Sequence, residues 1–168
     1  MTAPDDSTPL VRVGLKRIAV AELVAGDPLL HNSRLLAGLN AAARAPLFEA
    51  GRVRRFAHQA LLFEQGHGGG QLLMVARGQV RLVARHQKES VELGAVHKGD
   101  IIGEGELLGD AAPAFSAVAD GEVDAIEFPR ASIQKLLKNH PAMRAYLAGL
   151  RDARRAALDE MASFLGRW

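Results

Sequence analysis

The histidines are the first residues to test for chemistry. They stand at His31, His58, His67, His86, His97 and His140. One arrangement by which jelly-roll enzymes hold metal is a close His-x-His pair with a glutamate and a later histidine, and no such pair exists here. No metal site is expected. The chain has no cysteine, so disulfides, iron–sulfur clusters and cysteine-ligated zinc or haem are excluded. Ser90, Ser116, Ser132 and Ser163 lack the context of a nucleophile elbow. Gly68-Gly69-Gly70 lacks the Gly-Lys-Ser/Thr end of a phosphate loop and reads as a hairpin. No catalytic residue, and hence no enzyme, is expected. What remains is the stretch Gly103 to Ser116, rich in glycine and carboxylate, with no Arg or Lys between Lys98 and Arg130.

The elements that must position this stretch are legible as patterns. From Asn32 to Ala50, Leu35, Leu36, Leu39, Ala42, Ala43 and Leu47 recur at helical spacing, and Gly51 ends the segment. Between Gly51 and Phe128 short apolar segments alternate with glycines. Such spacing predicts a jelly-roll-like β-roll of about eight strands. After Pro129 the pattern is helical again, with a break at Asn139-His140-Pro141. Met143, Leu147, Leu150, Ala157, Met161, Phe164 and Trp168 form a heptad-like seam that only Arg154 interrupts. A short strand over Val11, Val13 and Leu15 and a helical turn from Ala21 to Ala25 precede all of this. The fold is therefore expected to be mainly β with flanking helices: a short N-terminal helix, the roll, and two C-terminal helices. The expected organisation is an N-terminal extension over 1–30, the roll over 31–140 and a C-terminal helix over 141–168.

Four local patterns, in order, resemble the cyclic-nucleotide-binding domain family. That family includes catabolite-activator-type regulators, regulatory subunits of cyclic-AMP-dependent kinase and some ion channels. The patterns are Leu62-Phe63-Glu64-Gln65-Gly66, then Leu73 to Val80 around Gly78, then Lys98-Gly99-Asp100-Ile101-Ile102-Gly103-Glu104, then Phe128 to Pro141. The resemblance implies that Gly103, Glu104, Gly105, Glu106, Leu107, Ala114, Phe115 and Ser116 form a phosphate-binding cassette. In such a cassette the glycine lets backbone approach the sugar-phosphate, and the glutamate accepts a hydrogen bond from the ribose 2′-hydroxyl. An arginine then forms a charge-assisted pair with the phosphate. Here Ala114 falls where that arginine is expected, and Glu106 adds a negative charge. Loss of one charge-assisted contact costs about 1.5–3 kcal/mol, roughly one to two decades of affinity. Arg77, Arg81, Arg85 and Lys98 are the candidate cations to replace it from other strands.

The implied function is a non-enzymatic regulatory or interaction module whose nucleotide binding is altered or lost. The alternative is a working cyclic-nucleotide sensor that signals through its C-terminal helices. No cofactor is expected beyond that nucleotide ligand. The seam residues Met143, Leu147, Leu150, Met161, Phe164 and Trp168 are the expected interface of a homodimer or a protein partner. Arg144, Arg151, Arg154 and Arg155 are interleaved with Asp152, Asp159 and Glu160, which reads as a solvated helix face rather than a nucleic-acid surface. Bacterial regulators of the family carry a helix-turn-helix after the long helix, and none is expected before Trp168. With 48% hydrophobic residues and 24% charged residues over 168 residues, the chain has the profile of one soluble domain. The net charge of +2 is too small to imply nucleic acid. The polar start lacks a signal peptide's apolar stretch, and no apolar run is long enough for membrane insertion. A cytoplasmic protein is expected.

Overall fold

The computed structural model describes residues 19–165. The strand expected over Val11 to Leu15 and the seam residue Trp168 lie outside those residues. The chain starts with two short helices, α1 (Val20–Ala25) and α2 (Pro28–His31), followed by α3 (Ala41–Ala50). The continuous helix expected from Asn32 is not formed. Asn40 has extended backbone, and its side chain accepts from the Ala43 N–H at 2.9 Å, which starts α3 there. The preceding segment is a series of turns whose carbonyls are gathered by Arg44. Its guanidinium donates to the backbone oxygens of Leu36, Leu39 and His31. Leu35, Leu36 and Leu39 are nevertheless buried, so their helical spacing marked a core face rather than a helix.

Six strands form the sheet: β1 (Arg52–Phe56), β2 (Leu61–Phe63), β3 (Leu72–His86), β4 (Glu89–Val96), β5 (Ile101–Ile102) and β6 (Ser116–Phe128). The helix α4 (Glu104–Leu107) separates β5 from β6, and α5 (Arg130–Asn139) and α6 (Pro141–Leu165) follow. The count differs from about eight because β3 and β6 are long and continuous. They run antiparallel over most of their length, passing Gly78 and Gly121 by register shifts rather than chain breaks. The first half of β3 also pairs β5, and its second half pairs β4. β6 pairs β1 with one half and β2 with the other. The result is a mixed domain with an antiparallel sheet rolled between helices.

Alternation along β3 divides the core in two. Leu72, Met74 and Ala76 point into a cluster shared with α1, α3, α5 and α6, whereas Leu73, Val75, Val80 and Leu82 fill the interior of the roll. The unbroken apolar run Leu72 to Val75 thus reflects burial on both faces. Ile133 and Leu137 of α5 and Met143 and Leu147 of α6 close the helical cluster. Asp27 ties the N-terminal helices to the roll. It caps α2 through the Leu29 N–H and pairs with Lys98 at 2.8 Å, and the Lys98 hydrogen bond holds its carboxyl below the usual aspartate range.

Candidate functional site

Gly103 ends β5 and opens α4. Its φ of +94° is in the left-handed region, and a Cβ there would collide with the Gln71 carbonyl oxygen. Only glycine fits both demands. The turn aims Glu104 inward, where it is 2% exposed. A carboxylate that deep needs a cation or several donors. The cation comes from the far end of the chain: Arg154 Nη1 of α6 donates to Glu104 Oε2 at 2.7 Å, and Arg154 Nη2 donates to the Ile101 carbonyl at 2.8 Å. Both side chains are largely withdrawn from water, at 13% and 3% exposure. The next residue, Arg155, reaches Asp110 at 3.3 Å near the surface. α6 is therefore strapped across the cassette by two ion pairs, one of them buried.

Glu106 turns away from the cleft's centre. It accepts from the Gly70 N–H at 3.1 Å, and Arg130 donates to its carbonyl at 3.2 Å. A Cβ on Gly68 would come within 2.8 Å of Glu106 Oε2, so the glycine loop leaves room for this carboxylate. The loop read as a plain hairpin is thus an anchor for the cassette. Ser116 is likewise occupied: its Oγ accepts from the Gln65 N–H at 2.9 Å and fixes the turn after β2 to the start of β6.

The cleft beneath α6 brings together Gly103, Glu104, Gly105, Glu106, Ala114 and Phe115, with Phe63, Asp110, Arg151, Arg154, Arg155 and Leu158. Phe63 and Phe115 stack at 6.0 Å with a 48° tilt to make its apolar wall. Leu107 is not in the cleft but in the helical core, and Ser116 lies outside it as well. The cleft's empty space is about 460 Å³ counting the open mouth, and the Arg154 side chain of α6 reaches into it to meet Glu104.

None of the strand cations considered as replacements enters the cleft. Arg77 pairs with Asp124 and Glu122, Lys98 with Asp27, and Arg81 and Arg85 line a different face. The arginines that do line it, Arg151, Arg154 and Arg155, all come from α6, and Arg154, which reaches Glu104, belonged by its spacing to a solvated helix face. Its inward position corrects that reading, and the signal was present: it is the polar residue in an otherwise apolar seam. The seam itself divides. Met143 and Leu147 are buried in their own chain's core, and Leu150 packs partly against it, so these side chains face inward. Phe164 is 83% exposed. Among the described residues no three His, Asp or Glu side chains gather to hold a metal, and no helix is long and apolar enough to cross a membrane.

Comparison with known proteins gives the same picture. The model of the cyclic nucleotide-binding domain matches residues 53–140. A lysophospholipase from Pyricularia oryzae is 27% identical over 109 residues, which are 64% of this chain and 7% of the relative, so the chain spans only a small part of that protein. Among solved structures, the Thermus thermophilus catabolite activator protein is 27% identical, with TM-score 0.66 over 80% of this chain and 63% of the other. The regulatory domain of Toxoplasma gondii PKA, crystallised with cAMP, has TM-score 0.66 and 21% identity over 74% of this chain and 48% of the other. The regulatory subunit of a cAMP-independent protein kinase A from Trypanosoma brucei has TM-score 0.58 and 24% identity over 73% and 49%. With its rolled antiparallel sheet, its glycine-initiated cassette helix and a family match over more than half its length, this chain belongs to the cyclic nucleotide-binding domain family.

Proposed function

We propose that this chain is a non-enzymatic regulatory module whose cassette is closed by its own C-terminal helix, so that ordinary cyclic-nucleotide binding is altered or lost. The observation that carries this reading is the buried Arg154–Glu104 pair. Glu104 is the carboxylate that a ribose would use, and Arg154 already holds it. Ala114 supplies no cation for a phosphate, and Glu106 and Asp110 make the vicinity more negative. The exposed end of α6, with Phe164, is the proposed contact for a protein partner or a second copy.

A second reading has its own support. Gly103 and Glu104 are retained, and α6 sits directly on them, so a ligand that took Glu104 would displace Arg154 and move the helix. The fold does not choose between the readings, since the similar kinase subunits are described in one case with cAMP and in another as cAMP-independent. Calorimetric titration with cyclic AMP and cyclic GMP separates them, using the wild type, Arg154→Met and Glu104→Ala. No heat at millimolar nucleotide in the wild type is expected. Micromolar binding that Glu104→Ala abolishes would overturn the first reading and establish the second.

A further inference from the structure

The arginines of the sheet fall into two groups. Those of β1 and the first half of β3 are neutralised: Arg52 and Arg54 by Glu127, Arg55 by Asp124, and Arg77 by Asp124 and Glu122. Arg81 and Arg85, in the second half of β3, are not. Strand register places Arg81 between Val118 of β6 and Ala95 of β4, and Arg85 opposite Ser90. Among the described residues neither has an ion pair; Arg85 Nε donates weakly to Ser90 Oγ at 3.4 Å. Both line a groove of about 1220 Å³, open mouth included, on the outer face of the roll. Its floor is apolar and partly exposed, with Leu61 (49% exposed), Val83 and Val118. Two carboxylates lie nearby without pairing to either arginine. Glu64 on the rim is beside His67, and Glu92 is opposite Val83. The wall is firm, because the Gln65 side chain bonds both the N–H and the carbonyl of Arg85.

We infer that this face docks an acidic, partly apolar segment of a partner protein, lying extended along β3. Charge complementarity selects the occupant. Arg81 and Arg85, neither in an ion pair among the described residues, stand four residues apart on one strand, about 13 Å between backbone positions, which matches two carboxylate residues four apart in an extended peptide. Val83 lies between the two arginines on β3, and Val118 and Leu61 lie beside Arg81 in register, where apolar side chains of such a peptide would rest. Guanidinium recognises carboxylate in a bidentate manner. The site is separate from the cassette, so it stands or falls independently of the reading above.

The test is fluorescence anisotropy of the full chain with a labelled twelve-residue peptide carrying glutamates four residues apart and leucines between them. Controls are its glutamine counterpart and a twelve-nucleotide single-stranded DNA. The expected result is saturable binding of the glutamate peptide that weakens at least tenfold in Arg81→Gln/Arg85→Gln and falls as salt rises. The double variant should melt at the wild-type temperature. If it does not, amide chemical-shift changes on the wild type, confined to β2, β3 and the start of β6, carry the test instead. Absence of binding at millimolar peptide, equal binding of the glutamine peptide or preference for DNA would each overturn the proposal. So would a dimer in sedimentation that the double variant abolishes, since the occupant would then be a second copy.

Discussion

Replacing Arg154 by methionine tests the closure of the cassette most directly. Methionine keeps the length of the stem and removes the charge and both donors. If α6 stays in place, Glu104 is left as a buried carboxylate without its cation, a change that typically costs about 3–5 kcal/mol. The chain has a cheaper route. The end of α6 beyond Arg151 can lift and let water reach Glu104, at the expense of the partly buried Ala157, Leu158 and Met161. Half-burial of two large apolar side chains is worth roughly 1–3 kcal/mol. The variant takes whichever route loses less, so the expected destabilisation is about 1–3 kcal/mol, or roughly 3–9 °C in melting temperature for a domain of this size. Urea unfolding gives the free energy, and amide exchange over residues 155–165 shows whether the helix end has lifted. The double variant Arg154→Met/Glu104→Gln should recover most of the loss, because no buried charge remains. A loss below about 0.5 kcal/mol in the single variant, with no recovery in the double, would refute the argument that this pair fastens the helix.

Four further outcomes follow from the same geometry. Gly103→Ala should destabilise by more than about 2 kcal/mol, since it meets both a left-handed backbone and the Gln71 carbonyl; thermal melts check it. Leu147→Ala, at a fully buried position, should lose about 2–5 kcal/mol, whereas Phe164→Ser, at an 83% exposed one, should leave stability within about 0.5 kcal/mol and change only self-association or partner capture. At Asp124, burial pushes the carboxyl up, but hydrogen bonds from Arg55 and Arg77 outweigh it and hold it below the usual range. Its contribution is therefore fully present above about pH 4 and is lost as pH falls through the lowered value, so the stability gap between wild type and Asp124→Asn should shrink in urea melts from pH 5 towards pH 2. Tyr146 is the sole tyrosine, and burial, with the nearby Asp100 charge, pushes its hydroxyl up. Absorbance at 295 nm should show an ionisation midpoint above the ordinary value of about 10.

The parts of the fold that local pattern encodes were legible. The glycine-punctuated strands, the helix after Pro129 and the Pro141 start of α6 all depend on short-range backbone preferences and on which face is apolar. The parts set by pairing were not. Gly78 and Gly121 look like ends of strands, yet β3 and β6 continue through them because each has a partner on both sides of the shift. Asn40 could be read as a cap only by someone who knew that the leucines before it pack from turns. The cassette shows the same division. Gly103 and Glu104 stand out from their type and order, and the lack of a local cation is plain in the sequence. The identity of the replacement depends on where a helix fifty residues later lies. Arg154 offered one clue, as a charge in an apolar seam, and a charge there has to meet something.

In the proposed reading, that displacement of the cation changes what ligand binding means for such a domain. A cassette with its own arginine presents ligand contacts whatever the helix does. Here the cation that neutralises the cassette belongs to the helix, so Glu104 and the position of α6 form one electrostatic unit. In the proposed reading, any ligand that claims Glu104 must first separate it from Arg154. Its apparent affinity is then reduced by the free energy that holds the helix end down. With about 1–3 kcal/mol for that docking, the reduction is roughly 5- to 150-fold, on top of what the alanine at Ala114 removes. By linkage, whatever binds Phe164 and the end of α6 in the docked position tightens the closure by its own preference for that position, and whatever draws them away opens the cassette. In the proposed reading, a partner bound at the helix end and a ligand bound at Glu104 would therefore bias the same equilibrium.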